Sequence, residues 1–451
     1  MHKIILELLK TKQFSKLRTL LCEQRPADIA HILSDMPSDC IPIVFRLLPK
    51  DLAAETFAEL DSDLQKNLIE QFGNRELHDI IEEMYLDDAV DMLEEMPANV
   101  VKRILKITTP KTRAQINDLL RYPDDSAGSI MTIEYVCLSP EMTVEKAFDY
   151  IRQNGEDSET IYTCYVTDAK RHLIGVVTVK DMLLADKKSR IGDLMEKDVV
   201  FASTSDNRED VVRLFDRYDF LALPVADRER RLVGIITVDD VIDVMHEETE
   251  EDFAVMAAIT PGEEAYFKTS VLSTFKARIP WLMLLMLSAT FTGLIISSFE
   301  SALAAQVVLT AFIPMLMDTG GNSGSQSSVT VIRALSNGEV GFRDIFRVMI
   351  KELKVSALCA FSLGIVAGIK IYVIDGLLMN NADITMGIIL TVSLTVAITV
   401  IFAKLIGCSL PILAQRIGFD PAVMASPFIT TIVDAVSLIF YFNIAKFILK
   451  L

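Results

Sequence analysis

The sequence predicts a multidomain chain. An all-α helical, solenoid-like N domain comes first, then an α/β pair, a long acidic connector helix, and an α-helical membrane domain with five transmembrane helices. Three observations predict this. Apolar residues recur at three- and four-residue spacing over residues 10–120, the helical period. Two segments between residues 125 and 245 match each other at a fixed phase. Beyond residue 279, apolar runs reach the length needed to cross about 30 Å of hydrocarbon. The expected boundaries are 1–124 for the N domain and 125–245 for the pair (125–190 and 191–245). The connector takes 246–270 and the membrane domain 271–451.

Charge divides the chain in the same way. It has 451 residues and a formal net charge of −18. From Val271 onward there are 12 Lys/Arg and 9 Asp/Glu, a balance of +3, while residues 1–270 hold 32 and 53, a balance of −21. An acidic soluble half therefore precedes a membrane half. This argues against a nucleic-acid partner, whose phosphates want a basic face. It suits divalent cations, which are hard and take carboxylate oxygens, though acidic surfaces also simply keep domains soluble. Cys22, Cys40, Cys137, Cys164, Cys359 and Cys408 are scattered without a Cys-x-x-Cys pair, so reduced packing residues are expected, not a disulfide frame or zinc site. Residues 1–10 are short and charges follow at once, so no signal peptide is expected.

In the N domain, short breaks punctuate the helical pattern: Met36-Pro37-Ser38-Asp39, Leu48-Pro49-Lys50-Asp51, Leu60-Asp61-Ser62-Asp63 and Met96-Pro97-Ala98-Asn99. The first three lie about twelve residues apart, which suggests short antiparallel helices stacked as a small solenoid. Acidic residues cluster at Glu82, Glu83, Asp87, Asp88, Asp91, Glu94 and Glu95. Asp87 and Asp91, four apart, face the same way and repel unless something cationic sits between them. The alternative is a solvated helix face.

The repeat is legible in two nonapeptides. Leu173-Ile174-Gly175-Val176-Val177-Thr178-Val179-Lys180-Asp181 aligns with Leu232-Val233-Gly234-Ile235-Ile236-Thr237-Val238-Asp239-Asp240, with Gly175 and Gly234 59 residues apart. Ahead of them lie Ser129-Ile130-Met131 and Asp193-Leu194-Met195, then strand-like Tyr135-Val136-Cys137-Leu138 and Val199-Val200-Phe201-Ala202. Each copy then reads helix, strand, turn, strand, helix. This resembles a tandem pair of cystathionine-β-synthase (CBS) domains. The resemblance implies a regulatory module that dimerises and often binds an adenine nucleotide between its copies. Thr178, Asp181, Thr237 and Asp240 match positions that commonly touch ribose and phosphate. A Thr at a strand-to-helix junction is equally a typical N-cap. The connector that follows is dense in acid, with Glu247, Glu248, Glu250, Glu251 and Asp252, and reads as a coupling helix or a solvated linker.

Five spans are expected at residues 279–299, 301–332, 355–374, 384–413 and 422–449. Arg333, Arg343, Arg347, Lys351 and Lys354 follow the second and Arg416 follows the fourth, while Lys268, Lys276 and Arg278 precede the first. The opposite loops carry none. By the positive-inside rule the acidic half lies in the cytoplasm and the C-terminus outside. Residues 314–326 read Pro-Met-Leu-Met-Asp-Thr-Gly-Gly-Asn-Ser-Gly-Ser-Gln, too polar to face lipid. Asp318, Asn322 and Gln326, four apart, share one helix face. The segment reads as the lining of an ion pathway, or as a tight helix crossing with glycine for packing and amides as glue. Asp434 lies in the last span. Pro427 is expected to interrupt the helix there and free carbonyls, which with the carboxylate would suit a hard cation. The rival is an ion pair with Lys404 or Lys370.

Taken in this order, the acidic helical N domain, tandem repeat, connector and five spans resemble the MgtE family of magnesium channels over essentially the whole chain. The sharpest parts are Pro314-x-x-x-Asp318-x-x-Gly321-Asn322-x-Gly324-x-Gln326 and the Ser426-Pro427…Asp434 span. The resemblance implies Mg²⁺ uptake by a homodimer in the plasma (inner) membrane, in contact with lipid, with Asp434 holding the ion in a pore at the dimer axis. It also implies that cytosolic Mg²⁺ closes the pore by bridging Asp87 and Asp91, Asp227 and Asp240, and Glu248 and Glu251. The cofactors implied are Mg²⁺ and ATP at the CBS pair. Two other classes stay open. One is a proton- or sodium-coupled carrier of the same ion, with Asp434 or Asp318 as protonation site. The other is a membrane enzyme or signalling protein. Against an enzyme, His2, His31, His78, His172 and His246 all fall in the soluble half, and no nucleophile–base pair is legible.

Overall fold

The computed structural model describes residues 2–156, 158–262, 266 and 269–450. They fall into two units, Met1–Met245 and His246–Leu451. Within the expected connector, residues 263–265, 267 and Lys268 lie outside the described residues.

The first unit opens with short helices: α1 (His2–Lys10), α2 (Phe14–Cys22), α3 (Pro26–Ser34), α4 (Ile41–Phe45), α5 (Lys50–Ala58), α6 (Ser62–Gln71), α7 (Asn74–Ile81), α8 (Leu86–Glu94), α9 (Ala98–Ile107) and α10 (Pro110–Leu119). The Pro/Asp breaks mark their ends. Pro49 and Pro97 precede α5 and α9, and the Asp61 carboxylate accepts the Leu64 N–H to cap α6. Thr109 caps α10 and Pro110 follows it in the first turn, where a missing N–H costs nothing. The apolar stripes meet in a core that fully buries Leu17, Ile29, Leu33, Phe57, Ile69, Leu77 and Ile104. That core runs on into the second repeat, through Met131, Leu223 and Ile236.

The two repeats fold alike. β1 (Tyr135–Leu138), α11 (Val144–Asn154), β2 (Thr160–Thr167), β3 (Leu173–Thr178) and α12 (Val179–Leu184) form the first copy. After α13 (Ile191–Leu194), β4 (Ala202–Ser203), α14 (Arg208–Tyr218), β5 (Ala222–Ala226), β6 (Leu232–Thr237) and α15 (Val238–Met256) form the second. Each sheet has a parallel pair followed by an antiparallel one. The strand expected at residues 199–202 starts only at Ala202. The segment leading each copy crosses to the other. Thr132 and Ile235 exchange backbone hydrogen bonds at 2.8 and 2.9 Å, and Val176 and Glu196 do so at 3.0 and 2.9 Å. This crossing explains the repeated glycine: a Cβ on Gly234 would lie 2.7 Å from Met131 Sδ, and one on Gly175 2.5 Å from Met195 Sδ. α15 follows Thr237 without a break, so the last motif helix and the acidic connector are one helix.

In the second unit, α16 (Val271–Ser298) and α17 (Glu300–Ala305) lead through a 3₁₀ stretch, Val307–Phe312, into α18 (Ile313–Ser336). α19 (Ile345–Lys370) continues as a π-helical stretch, Ile371–Leu378, and α20 (Met386–Arg416) and α21 (Ser426–Leu449) complete the unit. α18 packs on both α20 and α21, and α19 on α20. Leu309, Leu316, Ile388, Val392, Leu438 and Phe442 form the core, and the Tyr441 hydroxyl donates to the Leu309 carbonyl at 2.9 Å. Among the described residues four helices are long and apolar enough to cross a membrane: Val271–Ser298, Phe342–Leu378, Met386–Arg416 and Pro421–Leu449. The expected second span differs from these. It breaks at Gln306, and α18 starts afresh with Pro314 in its first turn. Its Asp, Gly, Asn, Gln and Ser residues keep its hydropathy low.

Candidate cation sites

Three places gather carboxylates, one in the first unit and two in the second. In the first, α8 starts with Leu86, whose N–H donates to Glu134 Oε2 at 3.1 Å, just ahead of β1. That contact carries the first copy's acids to the helix N-terminus, where negative charge is favoured. Carboxylate oxygens of Asp87, Glu134 and Glu159 lie within 4.8 Å of one another. Asp87 is 6 % exposed and accepts the Asp88 N–H at 3.0 Å. From the second copy, Asp240 faces the same helix. Its carboxylate accepts the Thr237 hydroxyl at 2.7 Å.

Burial is the main force on these groups and mutual repulsion the second. It pushes Asp91 up to about 8, with Asp240 and Asp87 adding to the effect. Asp88 is pushed up to about 7 by burial, then by Asp240 and Asp239. Glu159 is pushed up to about 9 by burial, then by Asp87 and Asp239. Asp87 is raised by burial, then by Asp88 and Glu134, and Asp240 by burial, then by Asp87 and Asp239. A desolvated group of carboxylates with oxygens this close is the donor set a hard divalent cation takes.

The structure thus brings Asp87, Asp91 and Asp240 together. Asp227 sits elsewhere, in the β5–β6 turn, where its carboxylate accepts the Glu229 and Arg231 N–H groups, both at 2.9 Å. Glu248 and Glu251 lie on the part of α15 in the second unit. With Asp420 they act on Asp252, whose pKa rises to about 6, chiefly through burial. Glu134, Glu159, Asp239 and Asp252 extend the sets beyond the residues singled out from the sequence. Thr178 caps α12: its hydroxyl accepts the Asp181 N–H at 3.1 Å and also bonds the Asp181 carboxylate. Thr237 and Asp240 repeat that pairing at the head of α15.

In the membrane half, α18 has two faces. Gly320, Gly321 and Gly324 are buried, while Asp318, Asn322 and Gln326 are exposed along the opposite stripe. The glycines and the polar residues that the sequence places in one segment therefore fall on different faces of one helix. A Cβ on Gly407 of α20 would lie 2.2 Å from the Gly324 carbonyl oxygen, so these two backbones touch. The Asn322 amide donates to Asp318 Oδ1 at 3.1 Å. Gly321 lies against Thr430, one turn before Asp434 on α21, and Asp318 is the charged neighbour of the half-buried Asp434.

The two rival lysines bond other groups. Lys370 Nζ bonds both Asp375 oxygens, at 2.7 and 3.0 Å, since π-helical winding brings positions five apart to one side. Lys404 Nζ donates to Ser327 Oγ at 3.4 Å. Pro427 corrects an expectation. It lies in the first turn of α21 and interrupts no helix, because a short 3₁₀ stretch, Pro421–Met424, precedes it. Its carbonyl accepts the Thr430 and Thr431 hydroxyls at 2.9 and 3.1 Å.

Comparison with known proteins bears on both units. The family model for MgtE, a divalent cation transporter, matches residues 313–444. The MgtE intracellular N domain matches 24–125, and the CBS domain matches 127–188 and 191–247. The magnesium transporter MgtE of Thermus thermophilus is 36 % identical over 438 residues, covering 96 % of this chain and 95 % of that protein. Its namesake in Bacillus subtilis is 33 % identical over 441 residues, covering 98 % and 96 %. Among solved structures, the cytosolic domain of the Mg²⁺ channel MgtE in complex with ATP is 38 % identical with a TM-score of 0.52. It covers 54 % of this chain and 100 % of that one.

Proposed function

This chain belongs to the MgtE family and transports Mg²⁺, and from that premise we propose the path the ion takes and the groups that close it. The path runs along the exposed stripe of α18, with Asp318, Asn322 and Asp434 as its oxygen ligands. Gly321 and Gly324 let the helices close behind them, Gln326 continues the stripe, and Pro427 starts the helix that carries Asp434. One observation carries this reading: two carboxylates and an amide share a polar stripe while Lys370 and Lys404 bond other groups. Mg²⁺ sheds water reluctantly, so one or two carboxylates hold it through its water shell.

In the same reading, α18 counts as a fifth span, the N-terminus is cytoplasmic and the C-terminus lies outside. The protein works as a homodimer. Cytosolic Mg²⁺ is held by Asp87, Asp91, Asp227 and Asp240 and by Glu248 and Glu251 of α15. The closed state, which brings carboxylates together, binds the ion better, so several weak sites shift the equilibrium steeply. α15 carries acids of both sets on one helix, which suits it to link sensing to closure. ATP at the CBS pair is supported by the ATP-bound relative and by a cleft with two cations, lined by Leu173, Lys197, Val199, Phe201, Ala226 and Arg230.

The test is patch-clamp recording of the purified protein in liposomes. Mg²⁺ is the main cation, and the cytosolic side is stepped from nominally zero to about ten millimolar, the range of weak carboxylate sites. Unitary currents are expected to vanish as cytosolic Mg²⁺ rises, and to persist when Asp87, Asp91, Glu248 and Glu251 are neutralised together. Currents that still shut off at the original concentration would overturn the sensor. Slow uptake that follows a proton or sodium gradient, with no unitary current, would make the protein a carrier.

A further inference from the structure

Among the buried serines on the inward face of α18, none used by the proposed path, Ser327 and Ser328 are adjacent. The Ser327 hydroxyl donates to Glu352 Oε2 of α19 at 2.7 Å, and its oxygen accepts from Lys404 Nζ of α20 at 3.4 Å. All three side chains are buried, at 2 %, 9 % and 5 % exposed. The adjacent Ser328 hydroxyl donates to the Met424 carbonyl ahead of α21 at 2.8 Å. One dipeptide thus ties α18 to three other segments.

Charged groups inside a helix bundle need a reason. Apolar side chains of similar volume would pack there as well or better, so the network is poor evidence for stability. What a directional chain of hydrogen bonds does supply is register. Between Leu316 and the network, the inward face is mostly Gly320, Gly321 and Gly324, a stretch that allows close approach but has few knobs of its own against rotation or sliding, while Val331, Ile332 and Leu335 pack only beyond the network. The network lies just beyond this smooth stretch, and Lys404 is one helical turn from Gly407, where α18 and α20 touch. Ser327 is also the immediate neighbour of Gln326, the last residue of the polar stripe.

We propose that Glu352, Ser327 and Lys404 are positioning residues for Mg²⁺ passage, fixing the rotation and height of α18 so that Asp318, Asn322 and Gln326 keep facing the path. The inference rests on the reading of that stripe as the path lining.

The test measures Mg²⁺ and Ca²⁺ flux separately, using the purified full chain in liposomes, together with its melting temperature. Lys404→Met and Glu352→Gln each leave one buried charge on Ser327 without the opposite charge beyond it and are expected to lower Mg²⁺ flux about tenfold or more. The joint variant removes both charges. It is expected to restore the melting temperature while the ratio of Mg²⁺ to Ca²⁺ flux stays below that of the unaltered protein. A loss of folded protein lowers both fluxes alike and leaves that ratio unmoved. An unaltered ratio in the joint variant, with full flux per folded protein, would overturn the proposal. Asn322→Ala and Gln326→Ala separate the two readings. If they leave flux and ratio unchanged, the path lining fails; if they move the ratio and the joint variant does not, only the positioning role fails.

Discussion

Two of the carboxylate sets live under opposite conditions. Around α8, acids from the N domain and both CBS copies are crowded into one desolvated patch, where burial and neighbouring carboxylates raise Asp88, Asp91 and Glu159. In the membrane half, Asp318 and Asp434 meet as a pair, with the Asn322 amide on Asp318. On the proposed reading, the crowded patch is strained until a cation arrives, which suits it to read a concentration, and the sparse pair holds an ion loosely enough to release it, which conduction requires. The same residue type serves either task, and the number of neighbours and the dryness decide which.

The largest effect should come from the sparse set, which has no spare ligands. Asp434→Ala is expected to lower Mg²⁺ flux into liposomes about tenfold or more, with the protein still folded. Undiminished uptake at normal expression would break the comparison at its membrane end. The crowded set should respond to protons. Folding raises its pKa values, so the folded state binds more protons than the unfolded chain between about pH 4 and about pH 9. Without divalent cation, the melting temperature of the first unit's transition should therefore rise by several degrees as pH falls through that window, and fall as pH rises. Saturating Mg²⁺ should flatten the dependence. A melting temperature that climbs with pH in metal-free buffer would mean the patch is not strained.

Smaller effects sharpen the contrast between close packing and open stripe on α18. Gly407→Ala drives a methyl group into the Gly324 carbonyl and should cost about 1–3 kcal/mol of stability. Gly293→Ala, with nothing within 4 Å of the added atom, should be near neutral. An equal loss in both would dissolve the distinction. Smallest is Thr178→Ala, which removes the α12 cap and should cost about 1 kcal/mol in unfolding experiments.

Much of this was legible because it repeats or is periodic. The nonapeptides ending in Asp181 and Asp240 share one phase, so both strands and both capped helices could be read from the chain. Asp87 and Asp91 stood out because four-residue spacing puts them on one face. Glu134 and Glu159 gave no such signal: each merely precedes a strand, and only packing of the first copy on α8 makes them neighbours of Asp87. Ser327, Glu352 and Lys404 come from three helices, and no local rule pairs positions that far apart. Pro427 misled because a proline in an apolar run looks like a break, whereas here it starts the helix. The polar run before Gln326 was readable as special but ambiguous between packing and lining, since helical period fixes which residues share a face and not what each face meets.

The exchange of leading segments between the CBS copies bears on how the chain is made. Thr132 finds its ladder partner, Ile235, roughly a hundred residues later. As the polypeptide emerges from the ribosome, the first copy can close its own three strands but must wait for the second before Met131 seats against Gly234. The pair is therefore expected to mature in one late step, once α15 has been synthesised. A stop or cleavage anywhere before residue 237 would leave the first copy with an open edge and an exposed methionine, a substrate for quality control and not a smaller working module.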